Sequence, residues 1–241
     1  MIKYQLENAF CTPSLIHWMG CDAYGVDLTK RLLQGAAFSI QVGFLVASIS
    51  IVIGLCVGSL AVFLPPAFQM ILSRFIDSVL AFPGFLLAIL LASLLPPSSI
   101  TVVFTLCVTS WASHARFFSA LIRKINSMPY LEAARSCGLN TVQLFWRHIL
   151  PGLWGQLFVQ FLLSFGSAIL GEASLSFLGL GGGSLNNQSW GMLISEGRDY
   201  LVEATHISIF SGTVLFLTLA FLHVLAVKLR NKLDPAFSSR V

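Results

Sequence analysis

From Ala36 to Phe63 the chain runs for 28 residues without one charged side chain. About 20 apolar residues in a helix cross the hydrocarbon core of a bilayer, and a helix satisfies its own backbone polar groups there. The run therefore predicts a membrane-spanning helix, long enough to tilt. Gly54 and Gly58, four apart, permit close approach of a second helix. Pro65-Pro66 ends the span. Composition agrees: of 241 residues 56% are hydrophobic and 10% charged, with a mean hydropathy of +0.83. A soluble domain carries about 25% charged residues.

The pattern predicts an all-α polytopic membrane protein with five transmembrane helices, at about 36–63, 71–95, 100–121, 153–170 and 207–227. Arg74 and Asp77 lie in the first turns of the second span, where interfacial anchoring is the default over a relay. Pro83-Gly84 predicts a kink or local unwinding within it, either lining a pathway or simply distorting the packing. Pro96-Pro97-Ser98-Ser99 turns the chain back. The third span is apolar for only 14 residues, Ile100 to Ser113, before His114 and Arg116. Its helical pattern continues through Phe117, Phe118, Leu121 and Ile122, so the helix should protrude from the membrane. His114 has no second ligand at metal spacing and reads as an interfacial histidine.

The five cysteines form no disulfide framework and no CxxC pair. Cys11 and Cys21 can pair if exported, but small apolar filler is the expected role. No metal site is predicted. Residues 1–35 carry no signal peptide. Within them Gly20-Cys21-Asp22-Ala23-Tyr24-Gly25-Val26-Asp27-Leu28 lacks the ligand alternation of an EF-hand and reads as a capped turn leading into a helix.

Residues 123–151 are the longest polar interruption. Tyr130, Ala133, Ala134 and Cys137 recur at i, i+3, i+4, i+7, one face of a short helix. Pro129 suits its first turn and Gly138 a left-handed cap at its end. Asn140 can cap a second helix with apolar face Val142, Phe145, Trp146 and Ile149. The pair reads as a docking surface for a soluble partner; the alternative is an ordinary basic loop that happens to be helical. The second polar region, from Gly171-Glu172 to Gly181, is glycine-rich, yet no Gly-Lys-Ser/Thr follows and no predicted strand precedes it, so it binds no nucleotide. It reads as a gate or re-entrant element, with Glu172 either touching cargo or serving as a hydrogen-bonded structural carboxylate.

Several of these stretches carry a family resemblance. Glu132-Ala133-Ala134, three residues, Gly138, nine residues, and His148-Ile149-Leu150-Pro151 resemble the EAA loop of ABC-importer permeases, in its peptide/nickel branch. Glu172-Ala173-Ser174-Leu175-Ser176-Phe177-Leu178-Gly179-Leu180-Gly181 is similar to that branch's EASLSFLGLG signature. Asp77 to Pro83 resembles VDxxLAxP, Trp190 to Ile194 and Gly197 to Tyr200 resemble WGxML and GRDY, and the tail at Asp234-Pro235 resembles LRDxLDPR. Gly20 to Leu28 matches GTDxxGRD in part, with Cys21 in place of Thr and Val26 in place of Arg.

The resemblance implies an ABC importer type I transmembrane fold and a permease subunit moving peptides or a related small solute, with nickel another candidate, across the bacterial inner membrane. It implies a second homologous permease, two cytoplasmic ABC ATPases and an extracytoplasmic solute-binding protein as partners. Tyr130, Glu132, Ala133, Ala134, Arg135, Gly138, His148, Leu150 and Pro151 would form the ATPase-coupling loop. Asp77, Pro83, Glu172 and Ser176 are candidates for a translocation path or gate. The chain has no Walker A sequence and no catalytic constellation, so it is expected to be non-catalytic and to hold no cofactor, ATP and Mg being bound by the partner ATPase. No nucleic-acid partner is expected. Family members usually have six spans, one of them ahead of the GTDxxGRD segment, and the expectation here is a start lying upstream of Met1.

Orientation follows from charge. With 112–151 cytoplasmic, ten of the 14 Lys and Arg lie inside and four (Lys3, Lys30, Arg31, Arg198) outside, as the positive-inside rule prefers. This divides the chain into an extracytoplasmic segment 1–35, a transmembrane domain 36–227 and a cytoplasmic tail 228–241. The competing class is a self-sufficient carrier or channel, which should show mid-span charges or paired broken helices. A membrane scaffold without transport activity is a third reading that composition leaves open.

Overall fold

In the computed structural model residues 9–183 and 188–233 are described. They form helices α1 (Leu28–Phe63), α2 (Pro66–Leu80), α3 (Gly84–Leu94), α4 (Ser99–Asn126), α5 (Pro129–Ser136), α6 (Thr141–Leu144), α7 (Leu150–Phe177), α8 (Trp190–Asp199) and α9 (Thr205–Leu233). A π-helical turn, Phe145–Ile149, joins α6 to α7 without a break. Its cause is local: Pro151 has no N–H, and its ring would strike the carbonyl four residues back, so the preceding turn widens. The Leu150 N–H accordingly bonds to the Phe145 carbonyl. The break expected between a second loop helix and a span at 153–170 is absent; one helix runs from Thr141 to Phe177.

The count of five spans is approximate. Three helices, Leu28–Phe63, Thr141–Phe177 and Thr205–Leu233, are each long and apolar enough to cross a membrane, and α2 with α3 adds a fourth if the bent pair is one span. The two bend by 78° at the Pro83 break, which gives the predicted kink its form. Helix α4 has the length, at 28 residues, but Arg116, Arg123 and Lys124 dilute its apolar character. Helix α1 starts eight residues before the expected position because Asp27 caps it: one carboxylate oxygen accepts from the N–H of Thr29 at 2.8 Å and of Lys30 at 3.4 Å.

The chain divides into two compact units. One comprises 47–87, 107–164 and 224–233. Here Gly54 and Gly58 face α4, and a Cβ on Gly58 would lie 2.8 Å from the Ala115 carbonyl oxygen. The glycine pair thus brings two backbones together. Around that contact Ile51, Phe118, Ile122, Leu131, Leu144, Ile149 and Leu153 form a buried core. The carbonyls at and just beyond the end of α1 are capped from other helices: Arg123 donates to the Ala61 oxygen at 2.7 Å, and Gln69 to those of Val62 and Leu64 at 2.9 and 2.8 Å. His114 is buried, not interfacial. The Gln160 amide lies 3.1 Å from its Nδ1 and the Ser164 hydroxyl 3.0 Å from its Nε2. An amide nitrogen only donates, so Nδ1 accepts and Nε2 carries the proton.

The other unit comprises 9–46, 88–106 and 165–223 among the described residues. Its N-terminal turn is closed by a Cys11–Cys21 disulfide, so these residues are not filler. Asp22 Oδ1 accepts from the N–H groups of Tyr24 and Val26 at 2.8 and 2.9 Å. Its other oxygen pairs with the buried Arg31, which also reaches Glu196 on α8 at 3.0 Å. Asp27 holds the His17 ring through Nδ1 at 2.9 Å. Burial pushes the Asp27 carboxyl up, but the hydrogen bonds from His17, Thr29 and Lys30 outweigh it and hold it below the usual carboxylate range.

Candidate functional site

The segment between α4 and α7 is built from its ends. Met128 precedes α5 in an extended conformation, Pro129 fills the first turn, and Glu132 places an acid there. The end is a Schellman turn: Gly138 N–H bonds to the Arg135 carbonyl at 2.9 Å and Leu139 N–H to that of Ala134 at 3.4 Å. That turn needs φ of +86° at Gly138, a conformation a Cβ disfavours by roughly 1–2 kcal/mol. Asn140 then begins α6 through a capping box. Its side chain accepts from the Gln143 N–H at 2.9 Å, while the Gln143 side chain accepts from the Asn140 N–H at 3.1 Å.

What anchors α5 is Leu131, fully buried in the core, with Ala134 and Leu139 packed beside it. The expected apolar face is therefore divided. Ala134 belongs to the inner side, while Tyr130, Ala133 and Cys137 are exposed together on the outer side. Glu132 and Arg135 are also exposed, and the Arg135 guanidinium donates to Asn126. In the second helix the face is likewise reassigned: Leu144 and Ile149 are buried, while Val142 and Trp146 are open. Those two, with Leu55, Leu60 and Phe63, line an apolar groove of about 430 Å³. Leu150 lines the same groove, His148 is half-buried in the π turn, and Pro151 is exposed.

The gate candidates are divided between the two units. Asp77 on α2 pairs with Arg116 on α4, both partly exposed. Pro83 stands at the α2–α3 bend. In the other unit Glu172 is fully buried, yet both oxygens are occupied: Ser39 donates at 2.7 Å and Ser176 at 2.6 Å. Ser189 is a third hydroxyl partner. It also caps α8 by accepting the Met192 N–H at 3.2 Å. Trp190 ties the start of α8 to α1, its indole N–H donating to the Leu32 carbonyl at 3.0 Å. A carboxylate matched by three hydroxyls is a structural clasp among α1, α7 and α8. Nothing in the sequence marks Ser39, Ser189, Arg31 and Glu196 as partners. Hydroxyls in apolar runs carry no periodic signature, and the Arg31–Glu196 and Ser39–Glu172 pairs join positions more than 100 residues apart.

Among the described residues these features define a helical membrane protein with a short helix, α5, capped at its C-terminal end and packed on the core. Its fold is that of importer permeases. A chain of the MetNI methionine ABC transporter in an inward-facing form aligns with 86% of this chain and 97% of its own length, at a TM-score of 0.71 and 15% identity. A chain of an amino acid ABC transporter aligns with 85% and 94%, at 0.64 and 16% identity.

Sequence likeness is closer to another group. The glutathione transport system permease protein GsiD of Pectobacterium atrosepticum is 34% identical over 99% of this chain and 81% of its own length. GsiD of Escherichia coli is 34% identical over 96% and 76%. Residues 34–237 match the model of the binding-protein-dependent transport system inner membrane component. The chain belongs to that family of permeases.

Proposed function

We propose that this permease is one transmembrane subunit of an importer for peptides or glutathione-like solutes, driven by ATP hydrolysed on partner ATPases. The names of the relatives support the cargo class, and the geometry of α5 supports the coupling. Leu131 and the Gly138 turn fix α5 to the protein's own core, so its exposed face of Tyr130, Ala133 and Cys137 is presented as a rigid knob. A knob anchored this way transmits displacement instead of absorbing it, and nucleotide-driven closure of an ATPase around it moves the spans as a rigid body. ATP and Mg stay with the ATPase; a second permease and a solute-binding protein complete the assembly.

The orientation places 123–151 and the C-terminus in the cytoplasm. The charge count supports this, and so does the Cys11–Cys21 disulfide, because such bonds persist in the periplasm and are rare in the cytosol. Cys137 supplies the test, being a free, exposed thiol on the proposed contact face. A maleimide should label it in the isolated permease and be excluded from it in the detergent-purified assembly that contains the ATPases. Full labelling of Cys137 in an assembly that hydrolyses ATP overturns this coupling surface.

A further inference from the structure

The apolar groove of about 430 Å³ has two walls. One is α1 from Leu55 to Phe63; the other carries Val142, Trp146 and Leu150, from α6, the π turn and the first residue of α7. Small-molecule sites occupy about 300–1,000 Å³, so the groove is large enough to hold a ligand. Its walls are braced by aromatic contacts: Phe63 meets Phe145 edge-on at 6.1 Å, and Phe145 meets Trp146 at 5.7 Å. They offer almost nothing polar, and the Ser59 hydroxyl already donates to the Leu55 carbonyl at 2.6 Å. A hydrophilic solute finds no partner there, whereas a hydrocarbon chain needs none.

The depth of the groove follows without fixing the edge of the hydrocarbon at any one residue. A bilayer core takes about 20 helical residues, and the charge-free run from Ala36 to Phe63 has 28. The core can therefore slide along the run by about eight residues, which moves its far edge only between Leu55 and Phe63. Tilt shifts that edge toward Phe63 and no further. Every one of these positions lies along the groove. The boundary between hydrocarbon and headgroups thus meets the groove in each register, and an amphiphile fits such a place.

The headgroup side is cationic. Arg123 is held at the level of Ala61, donating to that carbonyl at 2.7 Å, and Arg147 follows Trp146 in the π turn. Both are exposed. Between Asp77 and Glu172 the sequence has five Lys and Arg (Arg116, Arg123, Lys124, Arg135, Arg147) against a single acid, Glu132. Bases at this depth attract anionic headgroups. We propose that the groove binds an anionic phospholipid, one acyl chain along the α1 wall and the phosphate beside Arg147 and Arg123. The site is independent of the coupling and the orientation argued for α5.

The test follows Trp146 fluorescence, taken as the difference between wild type and Trp146→Phe. The vesicles contain equal phosphatidylcholine and phosphatidylglycerol, with bromine on the chains of one lipid or the other. The permease alone and the assembled importer are both measured. Brominated phosphatidylglycerol should quench Trp146 more strongly than brominated phosphatidylcholine in each. Arg147→Gln should weaken that preference on the order of fivefold. Cys56→Phe, which fills the groove, should abolish it. Monodisperse elution in detergent shows that the variants are folded.

Equal quenching by the two lipids overturns the site and leaves only freely exchanging boundary lipid. Quenching by neither overturns it as well, since the groove is then closed to lipid. Quenching of the permease alone that is lost in the assembly overturns it and gives the groove to the second permease. A preference that keeps its wild-type strength in Cys56→Phe or in Arg147→Gln overturns the placement of the chain or of the phosphate, and the site with it.

Discussion

Gly138 has no atom within 4 Å of where a Cβ would lie, yet a side chain there is opposed by its φ of +86°. The effect of substitution is thus confined to the backbone turn. Gly138→Val should leave membrane insertion and protein level intact and abolish uptake, whereas Gly138→Asn, which tolerates the left-handed region better, should retain part of it. Wild-type uptake by a well-expressed Gly138→Val protein would remove the coupling role of the turn. Glu172 presents the opposite case, a residue held by its partners. Glu172→Ala leaves the hydroxyls of Ser39, Ser176 and Ser189 without their shared acceptor, and each buried orphan costs about 1–3 kcal/mol. The expected result is a clear drop in melting temperature in detergent, with Glu172→Gln in between. Asp27 gives a pH signature. Its folded pKa lies below the ordinary 3.8, so its contribution is complete above that value and is lost as pH falls through the lowered one. Amide exchange of 9–27 should therefore quicken at the acid end, and Asp27→Asn should flatten that response.

At the scale of elements, end signals and close contacts were legible in the sequence while the direction of faces was not. Pro129, Gly138 and Asn140 marked helix ends because their chemistry is local. Gly54 and Gly58 marked a contact because only a missing side chain permits it. The apolar face of the second loop helix was misassigned for a physical reason. Near a membrane an apolar surface is not bound to turn inward, so Val142 and Trp146 face outward while Leu144 and Ile149 fill the core. Pro151 gave no sign of the π turn that absorbs it into a continuous helix. The disulfide was legible only as a possibility conditional on export: Cys11 and Cys21 are near enough in sequence to pair, yet apolar filler was the expected role. The glycine contact makes its own prediction. Gly58→Leu sets a side chain against the Ala115 carbonyl and the Phe118 side chain, so α1 and α4 must separate. Loss of soluble, monodisperse protein after detergent extraction is the expected outcome, and Gly212→Leu, where a Cβ meets open space, is the control.

For the whole molecule, the mechanism depends on which end of the chain faces which compartment, and the native cysteines report on it. Cys11 and Cys21 are bonded to each other, Cys107 is buried, and Cys56 and Cys137 are free and exposed. Cys56 lines the apolar groove, where a charged, membrane-impermeant maleimide does not partition. Cys137 is exposed at the C-terminal end of α5. Intact spheroplasts treated with such a reagent should therefore show no labelling until a membrane-impermeant phosphine reduces the disulfide, and then only at Cys11 and Cys21. Inverted vesicles should show labelling at Cys137 without reduction. Both halves of the result are needed, since the proposed coupling requires α5 to face the cytoplasm and the disulfide to face an oxidising compartment. Labelling of Cys137 from the outside would reverse the orientation, placing α5 beyond the reach of any cytoplasmic ATPase.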